Sequence, residues 1–296
     1  MKPQIRRETY SRCGIYGVVG RDISYSLSPI IFRSVFDELG WQAVYGIFDL
    51  TPASLPRFVA AAADAGIAGF NVTQPYKVGI MRHLDRVGSV ASAVGAVNTV
   101  VRRGQSWVGC NTDVHGIRHA LSPYHRDLRK SQAVVIGAGG AARAVAYTLA
   151  HELHIGEVTF AVRRAAKGRS VVTRLSGQRR SKCKWSVCPL TTNALHERLA
   201  DASLVVNATP IGGSGLANQS PLPSGLKIPP SMIVFDLVYR PRPTKLLCDA
   251  KVAGCTRLVG GWGMLVAQAE ESLFLWTGTR FPDRVRRELL AMEIAR

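Results

Sequence analysis

The run Ile136-Gly137-Ala138-Gly139-Gly140-Ala141-Ala142-Arg143 constrains this chain more than any other feature, because it follows the apolar stretch Ala133-Val134-Val135-Ile136 directly. A strand that ends in a glycine turn and restarts as a helix forms a cradle for pyrophosphate. Glycine permits the tight turn, bare backbone lets phosphate approach, and the helix start supplies N–H groups and a positive dipole end. A glycine triplet that merely packs a helix on a sheet is the weaker reading, given a strand before it and a helix through Leu149 behind it. Ala142 stands where a third glycine is usual. Gly137, Ala138, Gly139, Gly140 and Ala141 are therefore expected to hold a dinucleotide.

The end of the next strand selects that dinucleotide. NAD sites carry Asp or Glu about 20 residues beyond the glycines, accepting from the ribose 2′-hydroxyl. Here Thr159-Phe160-Ala161-Val162 runs into Arg163-Arg164-Ala165-Ala166-Lys167, with no carboxylate after Glu157. Guanidinium and ammonium groups suit a 2′-phosphate, which a carboxylate would repel. The expected cofactor is NADP(H) in preference to NAD(H), with Arg163, Arg164 and Lys167 on the phosphate. The bland alternative for such a charge run is a solvated face.

Short apolar runs alternate with helix-like segments from end to end, which predicts an α/β fold. Strands are expected at 14–20, 43–50, 67–72, 133–136, 158–162, 204–206, 233–235 and 256–259, with a hairpin of 97–102 and 106–109. Helices are expected from an N-cap at Ser28 to about Gly40, from Thr51-Pro52 through Ala65, from about Tyr76, from about 263 to 277, and from Pro282 onward. The 296 residues suffice for two domains. These are a first α/β unit of about 110 residues and a Rossmann-like nucleotide unit after it, followed by two helices with no further strand.

No apolar stretch approaches the roughly 20 residues a membrane span needs, and no apolar segment follows the basic start, so a cytoplasmic protein is expected. The six cysteines lack ligand spacing, which argues against a metal. The net charge is +18. Charge alone would admit nucleic acid as a partner, but the cations are spread along the chain and no aromatic-interleaved motif accompanies them, so none is expected. A basic enzyme with anionic ligands accounts for the sign and not for the size.

Polar residues of the first domain gather where strands end. Ser26-Leu27-Ser28-Pro29 puts two hydroxyls at a helix start, a fit for a carboxylate. Asn71-Val72-Thr73-Gln74-Pro75-Tyr76-Lys77 leaves a strand and delivers one lysine. Ala96-Val97-Asn98-Thr99 and Asn111-Thr112-Asp113 add amides and a carboxylate.

Together these segments resemble the shikimate dehydrogenases, over about 14–276. The resemblance rests on Ser-x-Ser-Pro, Asn-Val-Thr-x-Pro-x-Lys, Gly-Ala-Val-Asn-Thr, Asn-Thr-Asp, Gly-Ala-Gly-Gly-Ala, Asn-Ala-Thr-Pro and Gly-Met-Leu-Val-Ala-Gln-Ala, in that order. It implies that Lys77 is the catalytic acid/base with Asp113 as its partner. It implies that Ser26 and Ser28 bind the carboxylate of a small anionic cyclic hydroxy acid, shikimate or 3-dehydroshikimate. Thr73, Asn98, Tyr239 and Gln268 would complete that pocket, and Leu237, Gly261 and Met264 would lie near the nicotinamide. It also implies that the final helices return to the first domain, giving a substrate domain of 1–112 plus 262–296 and a Rossmann-like NADP-binding domain of 113–261, in a monomer or homodimer. The family commonly has His where Tyr25 and Phe32 stand, an aliphatic residue at Gln74, and Asn-Arg-Thr at Val162-Arg163-Arg164. Quinate or aminoshikimate dehydrogenase remains an alternative within the fold, and a non-catalytic basic binding protein an alternative outside it.

Overall fold

Parallel strands buried on both faces need apolar residues at successive positions, and several segments of this chain meet that demand with four or five in a row. A computed structural model describes residues 13–177 and 182–292. In chain order it shows β1 (Ile15–Gly20), α1 (Ser28–Glu38), β2 (Val44–Asp49), α2 (Leu55–Ala61), β3 (Ile67–Val72), a 3-10 turn (Gly79–His83), β4 (Arg86–Val87), α3 (Ser89–Val94), β5 (Thr99–Arg103) and β6 (Ser106–Cys110). There follow α4 (Asp113–Leu121), α5 (His125–Leu128), β7 (Gln132–Ile136), α6 (Gly140–Tyr147), β8 (Glu157–Val162), α7 (Ala165–Ser176), β9 (Lys184–Pro189) and α8 (Thr192–Ala200). The last elements are β10 (Leu204–Asn207), β11 (Ile233–Asp236), α9 (Lys245–Val252), β12 (Arg257–Val259), α10 (Gly261–Thr277) and α11 (Asp283–Ala291). The chain divides into two units, Met1–Thr112 with Val266–Ala295, and Asp113–Leu265. The second boundary falls inside α10.

The first unit holds a mixed sheet in the order β2-β1-β3-β5-β6-β4. β1 lies parallel to both β2 and β3, and the hairpin β5–β6 joins antiparallel to β3. The return of the last helices to this unit is visible in its packing. Trp276 of α10 stands 4.9 Å from the Tyr16 ring and 5.5 Å from Phe32, and its Nε1 donates to the Val100 carbonyl at 2.9 Å. Arg284 of α11 pairs with Glu38 of α1. Phe32 is fully buried and stacks on Tyr45 at 4.3 Å. Its departure from the family pattern thus belongs to the core.

The second unit holds six parallel strands in the order β12-β11-β10-β7-β8-β9. From β7 the chain steps outward through β8 to β9, returns to the other side of β7, and continues through β10 and β11 to β12. This is the doubly wound order of dinucleotide-binding sheets, and ligands bind outside the strand ends where the direction reverses, here beyond β7 and β10.

Four expectations need correction. The helix expected from Thr51-Pro52 starts at Leu55 and ends at Ala61. Pro56 explains the start, since a proline is tolerated only in a first turn, and Thr51–Ser54 forms a separate turn. The stretch from Tyr76 is turns and the 3-10 segment rather than an α-helix. Ser28 is the first helical residue and not the N-cap, which is Leu27. Finally, β9 was not expected. Its Lys-Trp-Ser-Val-Cys-Pro sequence has an exposed lysine and a proline, and only pairing with β8, aided by Thr159 Oγ1 to Ser186 Oγ at 2.7 Å, makes it a strand.

Gly69 of β3 lies under Trp276, and a β-carbon there would collide with the indole Cδ1 and Nε1. Gly69→Ala should therefore lower the unfolding free energy by roughly 1–3 kcal/mol, the usual range for overpacking, as read from urea midpoints. An unchanged midpoint would mean that the indole shifts freely.

Candidate active site

In the first unit two loops leave adjacent parallel strands. After β1 the chain passes through Tyr25, Ser26 and Ser28 into α1. After β3 it passes through Thr73 and Gln74 to Lys77. Backbone bonds hold both: the Thr73 N–H donates to the Val19 carbonyl at 2.8 Å and the Arg21 N–H to the Gln74 carbonyl at 3.1 Å. Lys77 is half-buried, and its carbonyl accepts from the Val97 N–H at 2.7 Å. Ser26 Oγ accepts from the N–H of Ser28, the first helical residue, at 3.4 Å.

Behind these loops sits a buried polar network. Asn71 Nδ2 donates to the Asn98 carbonyl at 3.2 Å, to Thr99 Oγ1 at 3.0 Å and to Ser272 Oγ at 2.9 Å, and Asn71 Oδ1 accepts from the Tyr45 hydroxyl at 2.7 Å. Asn98 Oδ1 accepts from the Thr112 N–H at 2.6 Å, and Asn98 Nδ2 reaches Thr112 Oγ1 at 2.9 Å and Gln268 Oε1 at 3.5 Å. Asn98 and Gln268, 170 residues apart in sequence, thus come together.

In the second unit, Gly137 has φ +108°, a conformation that favours glycine, and a β-carbon there would also meet Thr209 and the Ala208 carbonyl at 3.0–3.2 Å. Gly139, the N-cap of α6, has open space where its β-carbon would stand. Bare backbone at a helix start is what a phosphate requires. Arg163, Arg164 and Lys167 are all exposed, Arg164 as the N-cap of α7 and Lys167 in its first turn. Val162 is buried and ends β8.

At the ends of β10 and β11, Asn207 and Asp236 are fully buried. Asn207 Nδ2 donates to Asp236 Oδ1 at 2.9 Å, while Asn207 Oδ1 accepts from Thr209 N–H and Oγ1. Asp236 also accepts from the Val238 N–H at 3.0 Å and from Thr244 Oγ1 at 2.6 Å. These bonds set the loop that carries Leu237 and Tyr239. Gly261 lies against it so closely that any β-carbon would collide with the Leu237 carbonyl, and Met264 is buried nearby in sequence on the same helix. The structure thus brings Leu237 and Gly261 together. It places Tyr239 and Asp113 in the second unit; Asp113 is buried as the first residue of α4, where a carboxylate also complements the helix dipole.

Tyr45, Ser272, Asp236 and Thr244 were not singled out from the sequence. The available signal was a polar residue ending an apolar strand, as in Val205-Val206-Asn207 and Val234-Phe235-Asp236. No group of three or more potential metal ligands exists among the described residues. None of the six cysteines forms a disulfide.

Comparison with known proteins gives the following. A family model for the shikimate dehydrogenase substrate binding domain matches residues 18–100, and one for the shikimate 5′-dehydrogenase C-terminal domain matches residues 261–290. The chain is 37% identical over 282 residues to a shikimate dehydrogenase (NADP(+)) of Pelodictyon phaeoclathratiforme, covering 95% of this chain and 97% of that one. It resembles the crystal structure of shikimate 5-dehydrogenase from Thermus thermophilus in complex with NADP(H) and shikimate, with a TM-score of 0.79, 31% identity and coverage of 95% and 99%. It also resembles quinate dehydrogenase from Corynebacterium glutamicum in complex with NAD, with a TM-score of 0.81, 28% identity and coverage of 94% and 99%.

Burial pushes the Asp236 carboxyl up to about 6, against hydrogen bonds from Thr244, the Val238 N–H and Asn207 that favour its ionised form. A carboxyl with a raised folded-state pKa binds its proton more tightly when folded, so its contribution is present below about pH 4 and is lost as pH rises through about 6. Asp236→Asn keeps an acceptor for Asn207 and Val238 and cannot ionise. Between pH 4 and pH 7 the wild type should lose on the order of 3 kcal/mol relative to this variant. Urea titrations across that range check it, and a difference independent of pH would place the Asp236 titration elsewhere.

Proposed function

The chain belongs to the shikimate dehydrogenase family, and from that premise we propose that it catalyses the reversible NADP-dependent reduction of 3-dehydroshikimate to shikimate, a step of aromatic amino-acid biosynthesis, in the cytoplasm. The observation that carries this reading is Lys77, which sits half-buried in the loop after β3, its backbone tied to Val97 next to the buried Asn98.

The residues of the second unit fit NADP(H). Gly137 and Gly139 leave backbone bare before α6, and three exposed cations without a carboxylate begin α7. Residues 137–141 would hold the pyrophosphate; Arg163, Arg164 and Lys167 the 2′-phosphate; Leu237, Gly261 and Met264 the nicotinamide ring. Bound NADPH supplies a hydride to the carbonyl carbon of the substrate.

The residues of the first unit bind and protonate. Ser26 and Ser28 take the carboxylate, while Thr73, Asn98 and Gln268, with Tyr239, hold the ring hydroxyls. As the ketone is reduced, its oxygen gains charge and takes a proton from the Lys77 ammonium; in the oxidation direction the neutral amine of Lys77 accepts the hydroxyl proton. Asp113 accepts from the substrate hydroxyl and keeps it aimed at Lys77. A monomer or homodimer suffices for this chemistry. A second reading, oxidation of quinate, draws support from the likeness to the Corynebacterium quinate dehydrogenase and from Gln74 beside Thr73. Absorbance at the nicotinamide band, with shikimate or quinate and NADP or NAD, tests both; absence of turnover with any pair overturns them.

Two substitutions probe the assigned roles. Arg163→Ala removes a charge-assisted contact of about 1.5–3 kcal/mol, so KM for NADP should rise roughly tenfold or more while KM for NAD stays nearly constant. Equal effects on both cofactors would remove the 2′-phosphate assignment. Lys77→Ala should lower kcat at least about a hundredfold with cofactor affinity retained. Lys77→Arg keeps the cation and cannot readily act as a base; near wild-type oxidation of shikimate by that variant would make Lys77 an electrostatic anchor.

A further inference from the structure

The two loops that carry the first-unit substrate groups are tied by one side-chain hydrogen bond, from Gln74 Nε2 to the Tyr25 hydroxyl at 3.0 Å. The bond pairs two polar residues that lie 49 positions apart in sequence. Tyr25 is half-buried and immediately precedes Ser26; Gln74 is exposed and immediately follows Thr73. A phenol that accepts from an amide keeps its own proton to give. Among the described residues no acceptor takes that proton. Ser26 Oγ is likewise an acceptor, from the Ser28 N–H, and so also retains a proton to donate.

A carboxylate offers about four lone-pair directions, more than two serine hydroxyls fill. We propose that Tyr25 is a further substrate-binding residue, its hydroxyl donating to the substrate carboxylate beside Ser26 and Ser28, and that Gln74 is the positioning residue that aims it. The assignment rests on the shikimate dehydrogenase reading. Burial raises the Tyr25 pKa, which keeps the phenol protonated and therefore a donor throughout the working range of such an enzyme. An aliphatic side chain at position 74 would leave the ring without that hold. Tyrosine at 25 and glutamine at 74 thus act as one unit.

Steady-state kinetics on four proteins test this: wild type, Tyr25→Phe, Gln74→Leu and the double variant. Tyr25→Phe should raise KM for shikimate roughly tenfold or more, the size of one hydrogen bond to a charged group, with kcat and KM for NADP little changed. Gln74→Leu should raise it less, and the double variant should match Tyr25→Phe alone, because Gln74 acts only through Tyr25. If the wild type turns over shikimate and Tyr25→Phe leaves its KM unchanged, this assignment falls and the reaction stands. Additive effects in the double variant overturn the positioning role of Gln74. A rise in KM for both substrates with a lowered melting temperature marks Tyr25 as structural and also overturns the proposal. Absence of wild-type turnover overturns the reaction and this assignment together.

Discussion

The hydrogen bonds of the Asn71 amide are the interaction on which the substrate half depends. A buried amide with all its partners is stable, and one deprived of a partner costs about 1–3 kcal/mol. Asn71 reaches Tyr45 of β2, Thr99 of β5 and Ser272 of α10, so residues 201 positions apart must meet before the amide is satisfied. That requirement brings the late helix back to the first sheet with a defined rotation about its axis. Ser272 and Gln268 lie one turn apart on it, and Ser272 Oγ donates to the Gln268 carbonyl at 2.9 Å. Gln268 consequently faces Asn98, and the apolar contacts of Trp276 with Tyr16 and Phe32 lock the same orientation one turn further on.

The second unit solves a similar problem with a carboxylate. Asp236 joins the exits of β10 and β11 to the N-cap of α9, since Thr244 both donates to Asp236 and accepts from the Leu247 N–H. A buried carboxyl is expensive unless it is hydrogen-bonded. Here three donors meet it, and what they hold in place is the loop backbone that carries Leu237 and Tyr239. Loops are the positions that most need such support, because they lack the ladder of bonds that fixes a strand.

Most of this was legible in the sequence where local pattern and tertiary demand agree. The strands buried on both faces read directly as apolar runs, and the glycine turn behind β7 read as a nucleotide cradle because every local signal pointed the same way. What failed was local chemistry with two acceptable solutions. Ser28 can cap α1 or open it, and Leu27, already helical in its backbone, makes it the first helical residue. Thr51-Pro52 and Ser54-Leu55-Pro56 both look like helix starts, and only the second proline decides. β9 is an edge strand whose structure exists because β8 offers a partner. The paired departures Tyr25 and Gln74 were visible singly, 49 positions apart; no sequence pattern links them.

The basic stretch after β8 breaks a local rule of helix starts. Between Glu157 and Glu197 the sequence carries nine Lys and Arg residues and no Asp or Glu. The N-terminus of α7 is the positive end of its dipole, where acidic residues are stabilising and cations are not, yet Arg163, Arg164 and Lys167 crowd it and its first turn has no acid. By itself this arrangement opposes the helix. A phosphate dianion placed there would reverse the sign of every term, because it would meet the free N–H groups, the dipole and three cations together. A carboxylate in the same place would have stabilised the free protein and excluded the 2′-phosphate. On the proposed reading, preference for NADP over NAD would come at the expense of the helix start, which would give the positive charge of this stretch a physical reason.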